Sequence, residues 1–263
     1  MRKLAILVFL LLALYFSLRE EEVSPPFLYH FDSNGTLAES ESAKLSTSPY
    51  WWLDSGGLLE IHDGFGHSIS GELDENNYWR KLYTSSNPTD TDNGYRPQNI
   101  FRLITKGKWE NVTQEAYFYI RTYNKSESAN RNESNGILLL SRYQDEDDLY
   151  YAGIRVDGHA VIKKKIDGIY YTLSEAKILT GTYNRDTEPN LLPVNKWIGL
   201  KSTTETLTDR GVFITLSIDQ GDGWVQILEA WDDGTSTPMI KGSGFAGIRT
   251  DFMDVSFDQY KAI

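Results

Sequence analysis

Two Asp-Gly pairs, Asp157-Gly158 and Asp167-Gly168, stand ten residues apart within LYYAGIRVDGHAVIKKKIDGIYYTL, residues 149–173. Asp-Gly readily adopts the positive-φ geometry of a tight hairpin turn, and β-branched and aromatic residues flank both pairs, so the segment predicts a three-stranded meander. Two-residue turns would pair Val156 with His159, Ile154 with Val161, Ile166 with Ile169 and Lys165 with Tyr170. That register puts Tyr150, Ile154, Val161, Lys163, Lys165 and Tyr170 on one face, and Tyr151, Arg155, Ile162, Lys164, Ile166 and Ile169 on the other. The second face is the more apolar toward Ile162, Ile166, Ile169 and Leu173 and is the expected core face. A single bulge would exchange the two.

A meander needs neighbours, and the rest of the chain supplies them. With 16 Tyr, 7 Trp, 11 Phe and 21 Gly in 263 residues, and no long helical pattern after residue 20, the composition favours one all-β domain. Roughly a dozen short strands are expected, at the spacing of a sandwich. They include residues 27–31, 79–83, 115–123 and 212–218, with a long polar loop over 84–99, a polar insert over 124–135 and one helical turn within 174–179. In 212–218, Val212, Ile214, Leu216 and Ile218 should point inward.

Residues 115–123, EAYFYIRTY, alternate most sharply. Ala116, Phe118, Ile120 and Thr122 fall on one face, and Tyr117, Tyr119, Arg121 and Tyr123 on the other. A core accounts for the first set. Three tyrosines and an arginine on the second form either a cross-strand aromatic ladder that stabilises the sheet or a ligand surface. Aromatic rings offer flat apolar faces to sugars, and arginine holds a carboxylate or sulfate bidentately. In the meander, Lys163 and Lys165, with Tyr150 and Tyr170 beside Lys165, are the second candidate surface, for an anionic ligand. Charged residues that protect a solvated strand are the alternative there.

At the amino terminus, Met1-Arg2-Lys3 precedes an apolar run over 4–18 and then Arg19-Glu20-Glu21-Glu22. Residues 1–22 are therefore expected to be a signal peptide or a signal-anchor helix, with the sandwich in 23–263. At about 1.5 Å per residue the run reaches about 22 Å, short of the roughly 30 Å hydrocarbon core, which favours cleavage. This implies an extracellular or cell-surface protein that meets a membrane only through that segment. The chain has no cysteine, so disulfides are excluded, and its net charge of −11 argues against a nucleic-acid partner. Four glycosylation sequons begin at Asn34, Asn111, Asn124 and Asn132.

Three stretches resemble the concanavalin A-like jelly-roll superfamily: WWLDSGGLL at 51–59, SRYQDEDDLYY at 141–151, and Gly247-Ile248-Arg249 with Val255-Ser256-Phe257-Asp258. Within that superfamily they are most similar to laminin-G-like and sugar-hydrolase-associated domains of exported microbial proteins, over about residues 27–262. The resemblance implies two stacked, curved antiparallel sheets, with glycans on the concave face or its rim. It also implies a structural Ca²⁺ where first and last strands meet, for which Asp32 and Asp258, each following a Phe, are the candidate ligands. The Glu-x-Asp-x-(x)-Glu strand of family 16 glycoside hydrolases is not matched, because Glu72-Leu73-Asp74-Glu75-Asn76-Asn77 has Asn where the second Glu belongs. The Arg-Thr/Ser-Glu-Leu and Gln-x-His motifs of alginate-lyase-type jelly rolls are missing too. The leading expectation is a non-catalytic glycan-binding or adhesion domain. A polysaccharide lyase or hydrolase using Arg121 with Tyr119 and Tyr123, and a structural surface protein without ligand, are the alternatives.

Overall fold

The computed structural model describes residues 23, 25–207 and 210–263; the expected export segment, 1–22, lies outside them. In chain order the strands are β1 (Phe27–Tyr29), β2 (Gly35–Ala38), β3 (Trp51–Ser55), β4 (Leu58–His62) and β5 (Phe65–Ser68). After the helix α1 (Tyr78–Ser86) come β6 (Ile100–Trp109), β7 (Val112–Tyr123), β8 (Gly136–Tyr143), β9 (Leu149–Arg155), β10 (His159–Ile166) and β11 (Ile169–Lys177). The last five are β12 (Trp197–Leu207), β13 (Gly211–Asp219), β14 (Val225–Asp232), β15 (Gly244–Asp251) and β16 (Met253–Ala262).

These strands form an all-β, antiparallel, two-sheet sandwich. Sheet A runs β14-β13-β12-β7-β16-β5-β4-β2, with β1 also paired to β16, and sheet B runs β11-β10-β9-β8-β15-β6-β3. Alternation builds the space between them. Phe118 and Ile120 of β7 pack with Phe101, Leu139, Ile154, Val255 and Phe257 in one buried cluster, and Val212, Ile214 and Leu216 of β13 join Tyr150, Ala152 and Ile162 in another. A third cluster, including Trp52, Leu138, Leu140, Tyr143 and Tyr151, lies on the outer side of sheet B, with Ala43 and Phe245 packed against it. Strands β8 and β9 are consequently buried along their whole length.

Four expectations need correction. Residues 79–83 are helical, because the Asn77 side chain caps α1 by accepting from the Trp79 backbone N–H at 2.8 Å, a local bond that no strand pattern competes with. Residues 174–177 continue β11 instead of making a helical turn, since they pair with β10. The second hairpin has its predicted register, Ile166 opposite Ile169 and Lys165 opposite Tyr170. The first is shifted by one, with Ile154 opposite Ala160. The cause lies at Val156: its N–H goes to the Asn135 carbonyl and its carbonyl to the Leu191 N–H, both at 2.7 Å, so it leaves the ladder and the turn gains a residue. Gly158, at φ +81°, closes that turn by donating to the Arg155 carbonyl.

The shift moves Tyr150 onto the face of Lys164, which is opposite it, so both enter the space between the sheets. Lys164 Nζ meets Asp232 of β14 at 2.8 Å and the carbonyls of Thr237 and Pro238 at 3.0 and 3.1 Å. The Tyr150 hydroxyl donates to the same Asp232 carboxylate and accepts from the Ile240 N–H. A buried cation with a full set of acceptors is satisfied rather than available, so Tyr150 is a core residue and not a ligand contact.

The fourth correction is on β7. Ile120 pairs with Val255 and Thr122 with Asp254, leaving Arg121 as the extra residue of a bulge. Beyond it the faces exchange: Thr122 is exposed and Tyr123 turns toward the core cluster.

Candidate functional site

The two candidate surfaces fall on the two opposite outer faces of the sandwich. On sheet A, cross-strand pairing puts Trp197, Tyr119, Ser256 and His67 in one row across β12, β7, β16 and β5. Trp197 lies 5.3 Å from the rings of both Tyr119 and Phe65. One step along β7, Tyr117 meets Trp224 at 5.6 Å, with Lys201 Nζ 4.4 Å over the indole. Gly199 lies beneath this pair, where a Cβ would come within 2.9 Å of both rings. The Tyr117 hydroxyl donates to Asp219 at 2.9 Å; burial first, and then that bond, push its pKa up to about 12. Asp219 is held low by the N–H groups of Gly221 and Gly223 and by Tyr117. Arg121 reaches the Ser68 carbonyl at 3.0 Å.

On sheet B a pocket of about 470 Å³ opens on the outer face. Its floor is Leu138, Tyr151, Lys163 and Arg249; Tyr170 and Asp251 flank it, and Asp90, Asn130, Asn132 and Asn135 form a wall. The wall is built from the two polar loops noted in the sequence. Asp90 accepts from the Asn130 amide at 3.0 Å and from the Ser128 hydroxyl, and Asp92 accepts from Ser126. Tyr151 and Tyr170 meet edge to face at 6.0 Å. Burial pushes the Tyr151 hydroxyl pKa up.

The charges on this floor differ in one respect. Arg249 Nε is paired with Asp251 at 2.8 Å, and Lys165 is engaged by the Glu146 carbonyl and Asp147 at 2.8 and 3.0 Å. Lys163, opposite Tyr151 on one side and Thr172 on the other, makes no ion pair or hydrogen bond among the described residues. Burial, with Arg155 nearby, lowers its pKa below the ordinary lysine value even though Glu175 acts the other way. It is a half-buried ammonium facing open pocket space.

Of the expected site residues, Tyr117, Tyr119 and Arg121 share the sheet A face, while Lys163 and Tyr170 line the sheet B pocket. Lys165 is beside that pocket but occupied, and Tyr123 and Tyr150 face inward. Tyr151 and Arg249 were missed as ligand residues. The corrected hairpin register alone would have put Tyr151 beside Lys163. Asp32 is exposed in the turn after β1, and Asp258 lies in β16 opposite Tyr117. Burial raises the Asp258 pKa, and the Asp32 charge adds to the rise, so the two ends of the domain do approach. No cluster of three or more His, Cys, Asp or Glu suited to a metal occurs among the described residues.

No family model matches the chain, and no curated protein matches it in sequence. Among solved structures it is similar to a carbohydrate binding module from Bacillus subtilis, at 14% identity over 81% of this chain and 94% of that one, with a TM-score of 0.49. It is also similar to the winged bean acidic lectin complexed with methyl-α-D-galactose, at 7% identity over 88% and 97%, TM-score 0.47. A third is xylan β-1,4-xylosidase from Bacillus halodurans, at 15% identity over 91% of this chain but 39% of that one, TM-score 0.43.

Proposed function

We propose that the chain is an exported glycan-binding β-sandwich whose main site is the sheet B pocket, and that the pocket takes a sugar unit bearing a carboxylate or sulfate. The observation that carries this reading is Lys163, a partly desolvated cation with no ion pair or hydrogen bond among the described residues. Holding such a charge costs free energy that an anionic ligand would offset through a charge-assisted bond. The other surroundings suit a sugar. Tyr151 and Tyr170 present ring edges and faces, and the Asn130, Asn132 and Asn135 amides offer both donors and acceptors to hydroxyls.

The net charge of −11 bounds the ligand further. A long polyanion would be repelled by the molecule as a whole, whereas charges more than about 8 Å apart are largely screened at physiological salt. A short acidic segment or chain end therefore suits the site better than an unbroken polyanion. Native electrophoresis through gels containing a highly methyl-esterified pectin, in which free carboxylates are sparse, or a neutral glucan, with short uronate oligosaccharides as competitors, tests this. Retardation by an acidic glycan that Lys163→Ala abolishes is the expected result; equal migration in every gel rejects the reading. Following the absorbance of unsaturated uronates in the same incubations would reveal cleavage, the alternative of a lyase.

A further inference from the structure

We infer that the outer face of sheet A is a second carbohydrate platform, for an uncharged polysaccharide, on the side of the molecule opposite the pocket. The inference is independent of the pocket and rests on five rings: Phe65, Trp197, Tyr119, Tyr117 and Trp224. Trp197 bridges Phe65 and Tyr119 at 5.3 Å each, and Tyr117 meets Trp224 two residues along the same strand. Two residues of strand advance roughly 6.8 Å, so the two groups form one continuous strip rather than isolated surface aromatics. Trp197 is 37% exposed, although it is the largest apolar side chain type and begins a strand whose next three residues are buried.

Charge decides what kind of ligand fits. The carboxylates of Glu115, Asp219 and Asp258 border the strip. Lys201 pairs with Glu115 at 3.1 Å and covers the Trp224 indole, Asp219 accepts from the Tyr117 hydroxyl and two backbone N–H groups, and Arg121 donates to the Ser68 carbonyl. An acidic ligand would be repelled by these carboxylates, with Lys201 already paired and Arg121 half-buried and bonded to the Ser68 carbonyl, in contrast to Lys163 across the sandwich. Neutral pyranose units, whose axial hydrogens form apolar patches, gain from ring contact without desolvating a charge. The hydroxyl of Tyr119, which makes no hydrogen bond among the described residues, and the bonded groups at the border are positioned to meet their equatorial hydroxyls. Rigid sheet positions hold the rings in place. Gly199 allows Tyr117 and Trp224 to lie close to the backbone, where any side chain would lift them.

Affinity electrophoresis with hydroxyethyl cellulose, mixed-linkage β-glucan and galactomannan, joined to intrinsic tryptophan fluorescence, tests the inference. The wild-type chain should be retarded by at least one of these, with a change in tryptophan emission. Trp197→Ala and Tyr119→Ala should each weaken that retardation on the order of tenfold while melting as wild type does. Lys163→Ala should retain it, so failure of the pocket and failure of this face are distinguishable. Absence of retardation by all three polymers overturns the inference. So does a dimer in sedimentation that Trp197→Ala dissolves, which would assign the strip to a second copy of the chain.

Discussion

Lys163 and Lys164 are sequence neighbours that the pleat sends into opposite surroundings. Lys164 is fully buried with Asp232 and two carbonyls, whereas Lys163 faces the pocket alone. Lys164→Ala would strand the Asp232 carboxylate between the sheets, an event that costs about 3–5 kcal/mol, so chemical denaturation should show a loss of that order. Lys163→Ala should leave the unfolding midpoint nearly unchanged and remove acidic-glycan binding. If both variants unfold alike, Lys163 has a structural role that the geometry does not show. Burial depresses the Lys163 pKa, and the protonated form is the one that binds, so affinity should fade as pH rises through that lowered value. The fading should begin below roughly 10.4, where an ordinary lysine titrates, and affinity measured from pH 7 upward would show it. A flat profile would exclude Lys163 as the anion contact. Alternation put Lys164 on the expected core face and Lys163 on the other, but the partner of Lys164, Asp232 in a distant strand, and the pocket around Lys163 were not legible from KKK.

At the level of the element, the sequence told most where one local rule acted alone. The Asp167-Gly168 hairpin has its predicted register, and residues 115–120 of the expected 115–123 alternate as read. In the first hairpin and in β7, prediction failed where a distant partner took over a backbone group, whereas the Asn77 cap that makes residues 79–83 helical is local and was overlooked. Asn135 and Leu191 pull Val156 out of the first turn, and the bulge opposite Asp254 and Val255 flips β7 after Arg121. Neither partner is near in sequence, so no window of residues contains the signal. Strand β7 provides a test within one element. Phe118→Ala should cost about 3–5 kcal/mol, because the ring is wholly buried against Phe257 and its neighbours. Tyr119→Ala, on the open side, should lower stability by far less and weaken neutral-glycan retardation. Thermal melts of the two variants decide this, and equal destabilisation would mean that both faces of β7 are structural.

The molecule as a whole has two outer faces of different chemistry: a pocket on sheet B with a cation unpaired among the described residues, and an aromatic strip on sheet A bordered by carboxylates. Composition and alternation made the sandwich legible, and residue types pointed to glycans, but which residues share a face required the register of both sheets. We also propose that calcium joins the ends of the domain at Asp32 and Asp258, whose mutual repulsion a cation would relieve. A chelator should then lower the melting temperature; at a hundredfold excess over its dissociation constant, calcium would contribute about 2.7 kcal/mol. An unchanged melt would leave the two aspartates as turn residues. The central claim, that the sheet B pocket recognises an acidic sugar through Lys163, is tested most directly by isothermal titration of a uronate trisaccharide, at pH 7 and physiological salt, into wild type and Lys163→Met. Methionine keeps most of the side-chain volume and removes the charge. Heat of binding in the wild type, lost in Lys163→Met with an unchanged melting temperature, is the predicted result. Equal binding by both proteins, or by neither, would contradict it.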